Sequence, residues 1–238
     1  DQSATRRGKP TVFSLLGGTA SVLVGDFWLV RAMETILSAE NERDEAIRLF
    51  SKTLNNLAEG EMLQLEKAKL CDTTREDYLR IIYSKTASLF EASCVSAAMS
   101  VGVSDEVVSA VRSYGVNLGL AFQVKDDIMD YASDAAIGKP TGVDLMEQKI
   151  TIPLLGALEN VSAECGAEVR RMVRDIHSDP GTCAAVRRFV EENDGIGRAK
   201  EMLGELVARA KDALSTLPES EARHMMELLA DYTAYRDR

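Results

Sequence analysis

Apolar side chains recur along this chain at intervals of three and four, the spacing of one face of a helix. Val107, Val111, Tyr114, Leu118 and Phe122 run at that interval, and so do Met202, Leu203, Leu206, Val207 and Ala210. No stretch alternates convincingly with the period of two that a half-buried strand needs. None of the five prolines falls between Pro10 and Pro140, an interval rich in Ala, Leu, Glu and Met, so this part reads as consecutive long helices. The pattern predicts helices at about 11–39, 42–69, 74–101, 104–132, 149–160, 164–177, 180–193, 195–215 and 219–235. Ser104-Asp105-Glu106 supplies a cap for the fourth. Asn193-Asp194-Gly195 and Leu217-Pro218 read as turns rather than linkers, and there is no internal repeat, so residues 1–238 are expected to form a single all-α domain. Several helices are apolar over more than one stripe, which suits a bundle with a central helix, a dimer interface or ordinary core packing.

Composition narrows the class. Of 238 residues, 45% are hydrophobic and 28% charged, which excludes a disordered chain. A net charge of −10 argues against a nucleic-acid surface and weakens docking on anionic lipid. Cys71, Cys94, Cys165 and Cys183 are scattered without a C-x-x-C pair, and there are only two histidines, so neither a zinc site nor a disulfide framework is expected. A reducing cytoplasm fits that usage. No signal peptide and no 18-residue apolar span is expected, hence no membrane span.

The chemistry concentrates after Phe122. In Phe122-Gln123-Val124-Lys125-Asp126-Asp127-Ile128-Met129-Asp130 three carboxylates share a helix at i,i+3 and i,i+4 spacing, where like charges repel. A solvated face is one reading of such a run. The other is a handle for Mg²⁺, which binds through one or two carboxylates plus substrate phosphates. The loop 133–148 favours the second, because Lys139 and then Lys149 follow within reach as point charges for an anion, with Asp144 between them.

Two further places carry cations. Arg6-Arg7-Gly8-Lys9 suits bidentate phosphate recognition, or is a basic surface loop. Lys85-Thr86 lies inside an apolar helical run, where a lysine is costly unless it meets an anion or points to water.

Together Asp1 with Arg6-Arg7-Gly8 and Pro10-Thr11, Gly25-Asp26, Gly60-Glu61 with Gln64, Lys85-Thr86, Phe122-Gln123-x-x-Asp126-Asp127-x-x-Asp130, Gly138-Lys139 and Lys149-x-Thr151-x-Pro153 resemble the trans-polyprenyl diphosphate synthase family, in order and over essentially the whole chain. The resemblance implies an isoprenoid-synthase-type helical bundle around a central cavity. It implies a homodimeric, Mg²⁺-dependent prenyltransferase joining isopentenyl diphosphate to an allylic diphosphate. It makes Asp1, Asp126, Asp127 and Asp130 metal ligands, with Asp126 direct and Asp130 acting through water. Lys85, Lys139 and Lys149 draw charge from the leaving diphosphate, and Arg6 and Arg7 divide between the two substrates. Thr86 and Gln123 bind phosphate or orient the lysines, with a buried amide as the plainer role for Gln123, and Gln64 faces the same cavity as a substrate-binding residue. Phe122 contacts the growing chain or is a core aromatic. His177 and His224 lie outside every motif.

The chain departs from the family pattern at its start. Only the last aspartate of the first acidic motif remains, as Asp1, and the family's first helices are absent, so a longer protein is expected upstream. A class I terpene synthase and a non-catalytic partner subunit are the alternatives. Arg6-Arg7-Gly8 and Lys149-x-Thr151-x-Pro153 favour coupling two substrates over the first, and the intact acidic run lowers the second. Ala20, Ser21, Val22 and Leu23 are small or medium and point to a long-chain product.

Overall fold

The computed structural model describes residues 4–6, 8–40, 42–131, 142–179 and 181–236. These form strands β1 (Thr5–Arg6) and β2 (Lys9–Pro10), then helices α1 (Val12–Leu37), α2 (Arg43–Leu70), α3 (Arg75–Ile82), a π turn (Tyr83–Ala87), α4 (Ser88–Ser100) and α5 (Asp105–Asp130). After them come α6 (Val143–Met146), α7 (Ile152–Leu158), α8 (Ala163–Arg174), α9 (Gly181–Glu192), α10 (Gly195–Leu214) and α11 (Glu221–Tyr235). The expected all-α architecture is the one observed. Contacts divide the chain into residues 1–50 and 51–238, with the boundary inside α2.

In residues 1–50, β1 and β2 pair antiparallel with Thr5 opposite Pro10, and Gly8 takes a positive φ of 72° between them. Thr11 then accepts from the Ser14 amide at 3.1 Å and starts α1. No residue of α1 is buried, and Phe27 and Trp28 meet edge to face at 5.8 Å. By length and composition α1 is apolar enough to cross a membrane. The expectation that no 18-residue apolar span exists is therefore corrected: from residue 12 to 30 Asp26 is the lone charge, and the intervening Gly, Ser and Thr dilute the run without making it polar. Helices inside soluble cores and signal sequences pass the same test.

In residues 51–238, α5 is the central element. Ala110, Val111, Tyr114, Leu118, Ala121, Val124 and Ile128 are buried along it, and it packs chiefly on α10 and α4. From α10 the matching residues are Met202, Leu203, Leu206, Val207 and Ala210, as the spacing predicted, joined by Ala199 and Leu214. Burying each larger aliphatic side chain contributes about 1.5–3 kcal/mol, so this seam dominates the stability of the unit. Tyr114 donates to Met226 O at 2.9 Å and Lys211 pairs with Asp231 at 2.8 Å, which fastens α11 to the same core.

Two expected elements differ. The single helix predicted over 74–101 is interrupted by the π turn, where the Ser88 amide bonds back to Tyr83 O and the Ser88 hydroxyl takes Ser84 O at 2.8 Å. The helix predicted from 149 begins at Ile152, because Thr151 is extended and Pro153 fits only the first turn. Ser104 occupies the predicted cap position without a side-chain bond to the helix amides.

The π turn sits close to two neighbours. A Cβ on Gly60 of α2 would lie 2.6 Å from Ser84 Cβ, and one on Gly119 of α5 would lie 2.5 Å from Ala87 Cα. Backbone cannot yield as a flexible side chain does. Gly119→Ala is therefore expected to cost about 1–3 kcal/mol, the range for overpacking a tight interior. Urea unfolding checks it, and an unchanged midpoint would show that the contact relaxes freely.

Candidate functional site

Close approach of α2, α3, the π turn and α5 leaves a cavity of about 600 Å³ including its open mouth. Gln64 and Lys67 line it from α2, Tyr78 from α3, Lys85 from the π turn, and Gln123 and Asp127 from α5. The segment 144–151 closes it with Asp144, Lys149, Ile150 and Thr151. Three ammonium groups and two carboxyls thus face one space.

Asp127 lies at its base, only 3% exposed. Tyr78 Oη donates to its Oδ2 at 2.7 Å and Gln123 Nε2 to its Oδ1 at 2.9 Å. Gln123 is fixed in turn, since Thr86 Oγ1 donates to its Oε1 at 2.9 Å. This relay sets the amide orientation of Gln123 and links the π turn to α5. The buried-amide role of Gln123 and its place at the cavity are the same fact seen from two sides.

Burial lifts the Asp127 carboxyl from the ordinary 3.8 to about 8, the Asp144 charge adding to the lift while the bonds from Gln123 and Tyr78 oppose it. Burial likewise raises Asp144, reinforced by Asp130 and opposed by Lys149. The Tyr78 phenol is pushed well above its usual range, first by burial and then by Asp127, so it remains a donor.

The cations are held at the rim. Lys85 Nζ donates to Gln64 Oε1 at 2.8 Å and pairs with Glu61 at 2.5 Å. Lys149 Nζ pairs with Glu147 and lies 3.6 Å from Asp144. Burial works against the Lys149 charge, yet Glu147 and Asp144 outweigh it and hold the ammonium above the ordinary lysine range. Lys67 bridges Asp77 at 3.0 Å and Asp72 at 3.3 Å.

The acidic run does not converge on one point. Asp126 pairs with Arg236, Asp127 faces the cavity, and Asp130 accepts the Val143 and Asp144 amides at 3.1 and 3.2 Å, anchoring α6. Burial raises the Asp130 carboxyl and those amides partly offset it. Among the described residues no three His, Cys, Asp or Glu side chains gather as a cage. That is compatible with Mg²⁺, which needs one or two carboxylates and completes its shell with water and phosphate. The donors present are hard oxygens, and the elevated Asp127 and Asp144 carboxyls are the groups whose repulsion a cation relieves.

Of the sequence candidates, Gln64, Lys85, Gln123, Asp127 and Lys149 line the cavity, and Thr86 reaches it through Gln123. Phe122 stands on another side of α5, 5.5 Å from Phe90 and beneath the Arg236 guanidinium, rather than at this cavity. Arg6 is exposed on β1. Asp1, Arg7 and Lys139 lie outside the described residues. Sequence reasoning missed Tyr78, Lys67 and Arg236, and left Asp144 without a role. Asp144 had a signal in its position between two loop lysines; Arg236 had none, being 110 residues from its partner.

The family model described as polyprenyl synthetase matches residues 1–190. Among curated proteins, solanesyl-diphosphate synthase 2, chloroplastic, from Oryza sativa is 36% identical over 99% of this chain, and the chain spans 57% of its length. The crystal structure of a decaprenyl diphosphate synthase from Rhodobacter capsulatus superposes with a TM-score of 0.90 at 33% identity, covering 99% of this chain and 72% of that one. A polyprenyl synthase from Caulobacter crescentus, complexed with calcium and isoprenyl diphosphate, gives 0.88 at 34% identity over 99% of this chain and 72% of that one.

A carboxyl raised in the folded state keeps its proton where the unfolded chain has lost it. Its contribution to stability is full below the ordinary 3.8 and is lost as pH rises towards about 8. Urea unfolding of the metal-free protein should therefore show a lower midpoint at roughly pH 8 than at roughly pH 5, and Asp127→Asn should shrink that difference, since an amide does not titrate. The same pH dependence in both proteins would remove Asp127 as its source.

Proposed function

This chain belongs to the polyprenyl synthetase family, and from that premise we propose that it joins isopentenyl diphosphate to an allylic diphosphate, making a longer trans-polyprenyl diphosphate. The observation that carries this reading is the cavity in which Lys85 and Lys149 face the buried Asp127. Cations there receive a diphosphate, and the carboxyl supplies a hard oxygen for a divalent ion. The names of the similar proteins, solanesyl- and decaprenyl diphosphate synthases, support the substrate class and a long-chain product.

Mg²⁺, when bound, supplies charge stabilisation to the departing diphosphate. Asp126, Asp127 and Asp130 would hold it, and the family resemblance gives Asp1 the same role. The allylic C–O bond breaks and its electron pair leaves with the diphosphate. Lys85, Lys139 and Lys149 would take up that charge as it develops. Gln64 keeps the Lys85 ammonium aimed at the cavity, and Thr86 with Gln123 keeps Asp127 oriented. Arg6 and Arg7 bind the second diphosphate by their bidentate forks. The isopentenyl double bond captures the allylic cation, and the proton then lost passes to the released diphosphate.

Replacing Asp126 with Ala in the full-length protein should lower turnover by about 10²–10³, the usual cost of one electrostatic contact to a transition state, while the fold survives. Incorporation of radiolabelled isopentenyl diphosphate onto an allylic primer measures it. Cyclised hydrocarbon from the allylic substrate alone would assign a terpene synthase instead, and wild-type turnover in the variant would exclude Asp126 as a ligand.

A cytoplasmic homodimer is the assembly that accompanies this reading, supported by the free state of all four cysteines and by the apolar side chains of α1, Leu15, Leu16, Val22 and Leu23. Sedimentation of the full-length protein at micromolar concentration should give the dimer mass. An active monomer would overturn it.

A further inference from the structure

Past the end of α11 the backbone leaves helical geometry at Arg236, with φ −58° and ψ 140°. Its amide still closes the last helical bond, to Tyr232 O at 2.9 Å, but its side chain reaches across to α5. There Nη2 donates to Phe122 O at 3.1 Å and to Asp126 Oδ1, and the guanidinium lies 4.0 Å from the centroid of the Phe122 ring. The first carboxylate of the acidic run is thus already neutralised by a cation belonging to the chain.

Three features distinguish this contact from a permanent brace. Arg236 Nε is buried without a hydrogen-bond partner among the described residues, so the guanidinium fork is incompletely satisfied by them. The Asp126 side chain is 41% exposed against 11% for Arg236, so the carboxylate keeps an open side from which another cation can approach. Finally, the guanidinium stands outside the helical ladder, and its release unwinds no turn of α11. A divalent ion and a guanidinium that seek one carboxylate repel each other, and the ion binds only as strongly as the exchange allows.

We propose that Arg236 is a positioning residue for the acidic run: it orients and neutralises Asp126 in the unliganded protein and yields the carboxylate when a divalent cation binds. This rests on the reading of Asp126 as a cation ligand given above. The Phe122 ring is the platform that keeps the guanidinium nearby in either position. Exchange of Arg236 for the cation also ties occupancy of the acidic run to the end of the last helix, which lies 110 residues away in sequence.

Binding of Mn²⁺ to the full-length protein, followed by electron paramagnetic resonance without substrate, tests this. Arg236→Met keeps the aliphatic stem and removes the competitor, and should tighten Mn²⁺ binding by about two- to fivefold, the scale of one partly exposed ion pair. Arg236→Lys keeps the charge but cannot span the Phe122 carbonyl and Asp126 together, and should tighten it by less. Asp126→Asn should weaken binding at least about tenfold. A residue that only braced α11 against α5 would lower the thermal midpoint and leave the affinity unchanged. Unchanged or weaker Mn²⁺ binding in both Arg236 variants would therefore overturn the proposal. Wild-type affinity in Asp126→Asn would instead overturn the ligand assignment itself, so the two failures are separable.

Discussion

A carboxyl group sealed from water inside a helical core is the constraint around which the rest of this site is arranged. Removing Asp127 from solvent is costly unless its oxygens are bonded, and here each oxygen has one neutral donor, Tyr78 on one side and Gln123 on the other. Those donors come from α3 and from one turn earlier on α5, so α3 must lie alongside α5. Gln123 can present its amide nitrogen only if its oxygen is taken elsewhere, and Thr86 takes it. A preference at one carboxyl therefore reaches through two hydrogen bonds to the π turn that carries Lys85. These neutral donors only partly oppose the effect of burial, so Asp127 holds its proton up to about pH 8 and gives it up where a cation takes its place.

Charge is deployed around that group in opposition to the chain as a whole. The body is acidic, yet the cavity collects Lys67, Lys85 and Lys149, each restrained by a carboxylate or amide at its rim. Such pairs near a surface are individually weak. Their value lies in holding long, flexible side chains near the orientation an anion would require, which lowers the entropy lost when one binds. Glu91 does comparable service behind the cavity, where it accepts from Tyr83 at 2.7 Å and pairs with Arg112, tying the head of the π turn to α4 and α5.

What the sequence disclosed was the periodic and the clustered. Val111, Leu118 and their partners on α10 announced the core because burial on one helix face repeats at a fixed interval, and Asp126, Asp127 and Asp130 announced themselves by proximity along the chain. Lys85, Thr86, Gln64 and Gln123 were legible through their motifs, although the bonds joining them were not. Periodicity treats consecutive acidic residues as one face, whereas the fold turned Asp126 towards α11, Asp127 inward and Asp130 onto the amides of α6. Tyr78 was missed, since nothing local in the sequence shows where its hydroxyl will point. Arg236 and the interruption at Tyr83–Ala87 depend on contacts between distant segments, which no window of sequence contains. The apolar length of α1 was present in the residues and was passed over because Gly, Ser and Thr break the run to the eye without breaking its average.

The π turn imposes a rule of reading frame on everything downstream. Successive residues of an α-helix are rotated by about 100°, so one residue added to or removed from a helix turns all that follows through that angle. The wider turn at Tyr83–Ala87 is the point at which such a phase shift has been absorbed. Thr86 looks toward Gln123 while Glu91 and Val95 remain buried only because the phase changes between α3 and α4. A one-residue gap there would carry Glu91 into solvent and swing Lys85 away from Gln64, so the spacing from Tyr78 to Glu91 is as much a determinant of the site as any residue within it.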